Sequence, residues 1–164
     1  MVVLAVQALT TLPGVNSERI GLKWPNDLLL DGERKLGGIL IEALPTAGGR
    51  VAVIGIGLNL HGVPSLAAPA AGSVVGALPP ACLDEVAAAP PSRDAVLDAL
   101  LAAFESGLPL FASNGFAAFR ARWCSLHALQ HRTVHALLPD GRELQGVVQD
   151  VADNGALLLA TDAG

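Results

Sequence analysis

Lys23-Trp24-Pro25-Asn26-Asp27 and, eight residues on from Asp27, Lys35-Leu36-Gly37-Gly38-Ile39-Leu40-Ile41-Glu42 are the stretches from which the architecture can be read. Ahead of them, Arg19 to Trp24 alternates, with Ile20, Leu22 and Trp24 on one face, and Pro25, which has no backbone donor, stops the strand. Asp31-Gly32 parts Leu28-Leu29-Leu30 from the apolar run Leu36 to Leu44, the pattern of a hairpin whose turn needs positive φ. A third strand is expected over Val51 to Leu60, after Gly48-Gly49. The product is a small antiparallel meander.

One parity of that third strand carries Val51, Val53, Gly55, Gly57 and Asn59; the other carries Ala52, Ile54, Ile56, Leu58 and Leu60. The second set is expected in the core. The first passes from valine to bare backbone and ends in a carboxamide, which suits either a ligand slot or a tightly packed neighbour. Of ten basic residues only Lys23 and Lys35 are lysine, and both fall in this window. Lysine supplies a compact, movable point charge where arginine supplies a planar fork. Two ammonium groups, the Asp27 carboxylate and the Asn26 and Asn59 carboxamides beside glycine-bearing strands are equipment for holding anions. Two anions within about 4 Å repel by roughly 4 kcal/mol at an effective dielectric near 20, so a reaction between a carboxylate and a phosphate needs a cation between them. Asp27 could also offer one oxygen to Mg²⁺ while phosphates supply other ligands.

The 164 residues suffice for one core with a small module attached. They are 52% apolar and only 4% aromatic, which predicts an aliphatic core, and the net charge of -5 with dispersed basic residues argues against a nucleic-acid surface. Cys82 and Cys124 show no CxxC spacing and read as free thiols of a reducing compartment. Met1 to Leu12 reads as a buried helix with Val2, Val3, Val6 and Leu9 on one stripe; it is too short to span a bilayer and has no basic flank. A cytoplasmic protein without a membrane segment is expected. Residues 62–91 read as an irregular connection without evident chemistry. Ser92 caps a helix expected to run to Phe104, with Val96, Leu97, Leu100, Leu101 and Phe104 on its buried stripe, and a second helix is expected from Gly115 to about Leu129. His127 and His131 lie four apart on it, yet no adjacent acid makes a metalloprotease pattern, and Glu42 reads as a structural acid. From Arg132 the period changes to two, giving three short strands joined at Pro139-Asp140-Gly141 and Asp153-Asn154-Gly155.

At Lys23-Trp24-Pro25-Asn26-Asp27, at Arg34 to Glu42 and at Ile54-Gly55-Ile56-Gly57-Leu58-Asn59 the sequence resembles the biotin protein ligases, which link biotin to a lysine of a carrier protein. The three motifs stand in order, and Gly155-Ala156-Leu157-Leu158-Leu159 is similar to the SH3-like barrel that ends such ligases. The resemblance implies an α+β fold: part of a mixed-sheet, class II synthetase-like catalytic core over residues 1–130, then part of an SH3-like β-barrel over residues 131–164. It implies ATP, Mg²⁺ and biotin as small molecules and a biotin carboxyl carrier protein as partner. The implied reaction has two steps, formation of biotinyl-5'-AMP and transfer of biotin to the carrier lysine.

By the same resemblance Lys35 is the catalytic residue and meets the biotin carboxylate. Gly38, Leu40, Gly55 and Gly57 line the biotin tail; Lys23, Asn26, Asp27 and Asn59 serve ATP, with Asp27 as the magnesium ligand. Strand parity puts Lys35 with Gly37, so a bulge at Gly37-Gly38 is implied. Family members carry, ahead of the first matching helix, a serine- or threonine-bearing biotin segment and a glycine/arginine-rich loop over the adenylate. The sequence shows neither, so weak or absent activity is expected of the chain as written. A lipoate-type ligase and a non-catalytic carrier-binding or dimerising fragment are the rival readings, and an exposed sheet edge would permit a homodimer.

Overall fold

The computed structural model describes residues 1–62, 78–138 and 140–161. The stretch read as an irregular connection lies partly outside them. Two sheets organise the molecule, one of four strands in the order β1-β2-β3-β4 and one of three in the order β5-β6-β7. Both are antiparallel throughout.

The first sheet is the expected meander: β1 (Ile20–Lys23), β2 (Asp27–Leu30), β3 (Arg34–Thr46) and β4 (Gly49–Leu58). The β2–β3 turn uses left-handed backbone at Asp31 (φ 54°) and Gly32 (φ 72°), as the Asp-Gly pair requires. One face of this sheet carries Leu22, Leu28, Leu30, Leu36 and Ile39, all at most 3% exposed. Against it packs α1 (Val2–Thr10), whose Val2 to Val6, Ala8 and Leu9 are buried, a broader belt than the single stripe expected.

Helix α2 (Arg93–Asn114), N-capped by Ser92 Oγ accepting from the Ala95 N–H, runs ten residues past the expected end at Phe104. The reason is Gly107. A Cβ there would lie 2.2 Å from Leu4 Cδ2, so the glycine is the crossing point of α1 and α2 and no helix stop. By length and composition α2 could cross a membrane. Its Val96, Leu100, Phe104 and Gly107 are buried, while Leu97 and Leu101, expected in the core, are 44% and 60% exposed.

Helix α3 (Ala117–Leu126) stops earlier than expected because His127 turns extended and bridges Leu22 of β1. His131 then lies in a turn at φ 60°, so the two histidines share no helix face. The second sheet comprises β5 (Thr133–Leu137), β6 (Glu143–Val151) and β7 (Leu157–Ala160), its turns placing Gly141 and Gly155 at φ 84° and 85°. It docks on the first through side chains. Arg120 of α3 donates to the Val151 carbonyl at 2.7 Å and pairs with Asp150, Cys124 Sγ donates to Asp150 Oδ1 at 3.1 Å, and the Trp24 indole donates to the Gly155 carbonyl at 2.9 Å. The Cys124 thiol foremost, then the Val151 N–H and Arg120, hold the Asp150 carboxyl below its ordinary range, while burial and then Asp150 raise the Cys124 thiol.

A candidate anion-binding trough

The cross-strand register builds the site. Lys23 pairs with Asp27, Asp27 with Gly38 and Gly38 with Gly57, one rung across all four strands on the face away from α1. Lys35 joins this rung only because β3 is bulged. Leu28 opposes Gly37 while Leu29 opposes Lys35, so Leu36 is the extra residue, one position ahead of the bulge implied at Gly37-Gly38. The bulge lets Leu36 drop into the core at 0% exposure and turns Lys35, Gly38 and Leu40 to one side.

At the centre Asp27 is shared by two ammonium groups. Its Oδ1 lies 2.6 Å from Lys35 Nζ and its Oδ2 lies 3.2 Å from Lys23 Nζ. The Asp27 side chain is 14% exposed, whereas Lys35 is 45% exposed. A mostly buried carboxylate thus aligns two cations and leaves the group one positive charge in excess, aimed at solvent. The donor set does not make a metal site: the carboxylate offered to Mg²⁺ spends both oxygens on lysines. No cluster of three or more His, Cys, Asp or Glu that could hold a metal occurs among the described residues.

The floor beside this triad is bare backbone. Gly55 and Gly57 have only the carbonyls of Leu40 and Gly38 near the place where a Cβ would stand, at 3.7 and 3.9 Å. Their neighbour Gly37 serves the opposite purpose, because a Cβ there would lie 2.4 Å from the Gly57 carbonyl oxygen. The open face forms a trough of about 810 Å³ lined by Asn26, Asp27, Lys35, Gly38, Leu40, Gly55, Gly57 and Asn59, together with Ile39, Leu78 and Pro80. It gathers every expected site residue except Lys23, which stands behind Asp27.

Both asparagines brace main chain. Asn26 Nδ2 donates to the Ile39 carbonyl at 2.6 Å while the Ile39 N–H donates back to the Asn26 carbonyl at 3.0 Å. Asn59 Nδ2 donates to the Lys35 and Ala81 carbonyls at 3.3 and 2.9 Å. Residues 79–81, read as devoid of chemistry, hold the root of Lys35: its N–H donates to Pro79 and its carbonyl accepts from Ala81. No period marks that segment, so only its adjacency in space identifies it. Of the set expected in the core, Ala52 is exposed and Ile54, Ile56, Leu58 and Leu60 are partly open, Ile56 at 36%, and Glu42 is exposed on the outer half of β3.

Comparison with known proteins agrees with this architecture. Residues 1–59 match the model of the biotin/lipoate A/B protein ligase family and residues 132–164 that of the biotin protein ligase C terminal domain. The biotin--[acetyl-CoA-carboxylase] ligase of Paracoccus denitrificans is 36% identical over 148 residues, covering 89% of this chain and 59% of the relative. The enzyme of that name from Mycobacterium tuberculosis is 31% identical over 161 residues, covering 94% and 52%. The chain therefore spans a little over half the length of these relatives. A biotin protein ligase mutant from Aquifex aeolicus, solved in complex with biotin, superposes with a TM-score of 0.77 at 23% identity, over 99% of this chain and 63% of that one. A mixed α+β core bearing these motifs, followed by a small β domain, places the chain in the biotin protein ligase family.

Proposed function

We propose that this chain carries the anion-handling half of an ATP-dependent biotin protein ligase. The observation that carries the reading is the Lys23–Asp27–Lys35 triad facing bare glycine backbone. A biotin tail would lie on Gly38, Gly55 and Gly57 beside Leu40, its carboxylate at the Lys35 ammonium. Lys23 and Asp27 then face the triphosphate, and Asn26 and Asn59 hold the main chain on the nucleotide side. Mg²⁺, which accompanies ATP, would be carried by the phosphates and not by Asp27.

In the first step the biotin carboxylate oxygen bonds to the α-phosphorus of ATP and pyrophosphate leaves, giving biotinyl-5'-AMP. In the second, the amine of a carrier-protein lysine attacks the acyl carbon and AMP leaves. Lys35 offsets the repulsion between carboxylate and phosphate on approach and stabilises the charge that accumulates on the acyl-phosphate oxygens. The mixed anhydride demands exclusion of water, and Leu40 at the trough is 63% exposed, so slow turnover is expected of this chain by itself. Residues 1–130 act as the catalytic part and 131–164 as the small barrel part, in the cytoplasm, on a biotin carboxyl carrier protein.

The test is biotin-dependent ATP–pyrophosphate exchange on this chain, on a form extended with upstream ligase polypeptide, and on Lys35→Ala of each. Exchange in the extended form that falls at least a hundredfold in Lys35→Ala supports the reading. Exchange that survives Lys35→Ala removes the lysine from the mechanism, and no exchange in either form leaves only carrier binding. Lipoate in place of biotin separates the lipoate-type reading, which the match to a biotin protein ligase C terminal domain disfavours.

A further inference from the structure

β4 ends at Leu58, opposite Gly37, and so does not reach Lys35. Residues 79–81 take its place beside Lys35 as a strap bridged in parallel at Pro80. The Lys35 N–H donates to the Pro79 carbonyl at 2.7 Å, and the Lys35 carbonyl accepts from the Ala81 N–H at 2.8 Å. Pro80 has no N–H, so no donor of its own is left on the outer side of the strap. Just beyond Lys35 lies the bulge at Leu36, where β3 falls out of step with β2. On this side, then, the root of the ammonium group is only as firm as the strap.

The turn that follows, Leu83–Val86, supplies the anchor. One carboxylate oxygen of Glu85 accepts from the Cys82 N–H at 2.9 Å, and the other lies 2.7 Å from a guanidinium nitrogen of Arg34. These partners, the Cys82 N–H foremost, hold the Glu85 carboxyl below its ordinary range. The Glu85 carbonyl accepts from Arg19 at 3.1 Å, and Arg19 also grips Asp31 in the β2–β3 turn at 2.8 and 2.6 Å. Arg34 is the neighbour of Lys35 in sequence, and Cys82 is the neighbour of Ala81. The Glu85 side chain therefore closes a ring that runs from Arg34 to Cys82, through Ala81 to the Lys35 carbonyl and back along the chain. An ion pair whose side chains are 32% and 31% exposed adds little to stability, so its worth here is geometric.

We propose that Glu85 is a positioning residue for Lys35: through Arg34 and the Cys82 N–H it fixes the strap, and the strap fixes the main chain from which the Lys35 ammonium meets Asp27 and the trough. The inference rests on the role given to Lys35 above. Glu85 itself touches neither carboxylate nor phosphate in that reading.

Two variants open the ring from opposite sides. Glu85→Gln keeps an oxygen for the Cys82 N–H and gives up the ion pair, and Arg34→Gln gives it up from β3. In this chain, amide hydrogen exchange read by NMR is expected to quicken at least threefold at Lys35 and Ala81 in both variants and to stay unchanged at Val148, whose N–H donates to Arg132 in the second module. In the extended form, kcat of biotin-dependent ATP–pyrophosphate exchange, counted per active site, is expected to fall at least threefold at unchanged KM for ATP, and the double variant to fall no further than the worse single one. A merely structural role would lower the melting temperature and the active fraction but leave kcat per active site as in wild type. Wild-type kcat in both variants, unchanged exchange at Lys35 and Ala81, or additive losses overturns the proposal. If Glu85→Gln fails to fold, Arg34→Gln decides. Full activity in Lys35→Ala overturns this proposal together with the reaction assigned above, whereas loss in Lys35→Ala beside wild-type kcat in Glu85→Gln overturns this one alone.

Discussion

The two edges of the four-stranded sheet are built from similar aliphatic strands and have opposite fates. At the β1 edge the backbone is taken up: the Ala128 N–H donates to the Leu22 carbonyl at 2.8 Å, His127 bridges Leu22, and Ile20 and Leu22 are at most 2% exposed. Gly21 is pressed there, with Ala128 Cβ only 3.1 Å from where its own Cβ would be. At the β4 edge Val51 and Val53 stay half in water. An apolar alternation therefore specifies that a strand wants a partner, while the partner's presence is decided elsewhere in the polypeptide.

The sharpest test of this contrast is truncation at each edge. Leu22→Ala leaves a cavity in a closed site and is expected to cost about 2–5 kcal/mol, whereas Val53→Ala is expected to stay within about 0.5 kcal/mol. Urea unfolding reads both, and equal costs would erase the distinction. A smaller effect comes from the seam between β3 and β4. Gly37→Ala forces a Cβ against the Gly57 carbonyl, which as backbone cannot give, and is expected to cost about 1–3 kcal/mol. Gly55→Ala meets only ordinary contact and should melt like wild type, yet in the extended form it should weaken biotin binding at least tenfold by titration calorimetry. A Gly55→Ala that melts early would mean that the seam, and not the trough, required that glycine.

The smallest effect is a pH dependence at the closed edge. His127 is 7% exposed, its Nε2 finds no hydrogen-bond partner, and burial pushes its imidazole below the ordinary value of 6.5. Below about pH 6.5 the unfolded chain then binds more protons than the folded one. The contribution of His127 is complete above that pH and is lost as the pH falls through its folded-state value. Melting temperature should drop by a few degrees between pH 7 and 5.5, and the slope should flatten in His127→Gln. An unchanged slope would assign the acid sensitivity to other groups.

Much of this was legible in the residues. The proline stop, the Asp-Gly turn and the period-two runs carry their own local physics, so β1 to β4 and the lysine pair could be read directly. What escaped was set by contacts distant in sequence. The run of α2 past Phe104 was one such case, because Gly107 shows its use only where Leu4 packs on it. Leu97 and Leu101 share an apolar stripe with Leu100, but a stripe does not say how wide its partner is. Residues 79–81 carry no period, and their service to Lys35 is made of main-chain hydrogen bonds, which side-chain chemistry does not announce. The reach of Trp24 to Gly155 spans 131 positions and has no local signature at all.

The extra residue in β3 makes the chemistry of this sheet a matter of phase. Lys35 stands with Asp27 and Gly38 because Leu36 adds one step to an alternation of two. Straightening the bulge with every residue kept would preserve the composition and the hairpin, yet present the ammonium to the aliphatic side, whereas deleting Leu36 would leave Lys35 two positions from Gly38 and on its face. The alignment of Lys35 with Asp27 is thus held by the register of β3, which a motif search, reading residues alone, does not see.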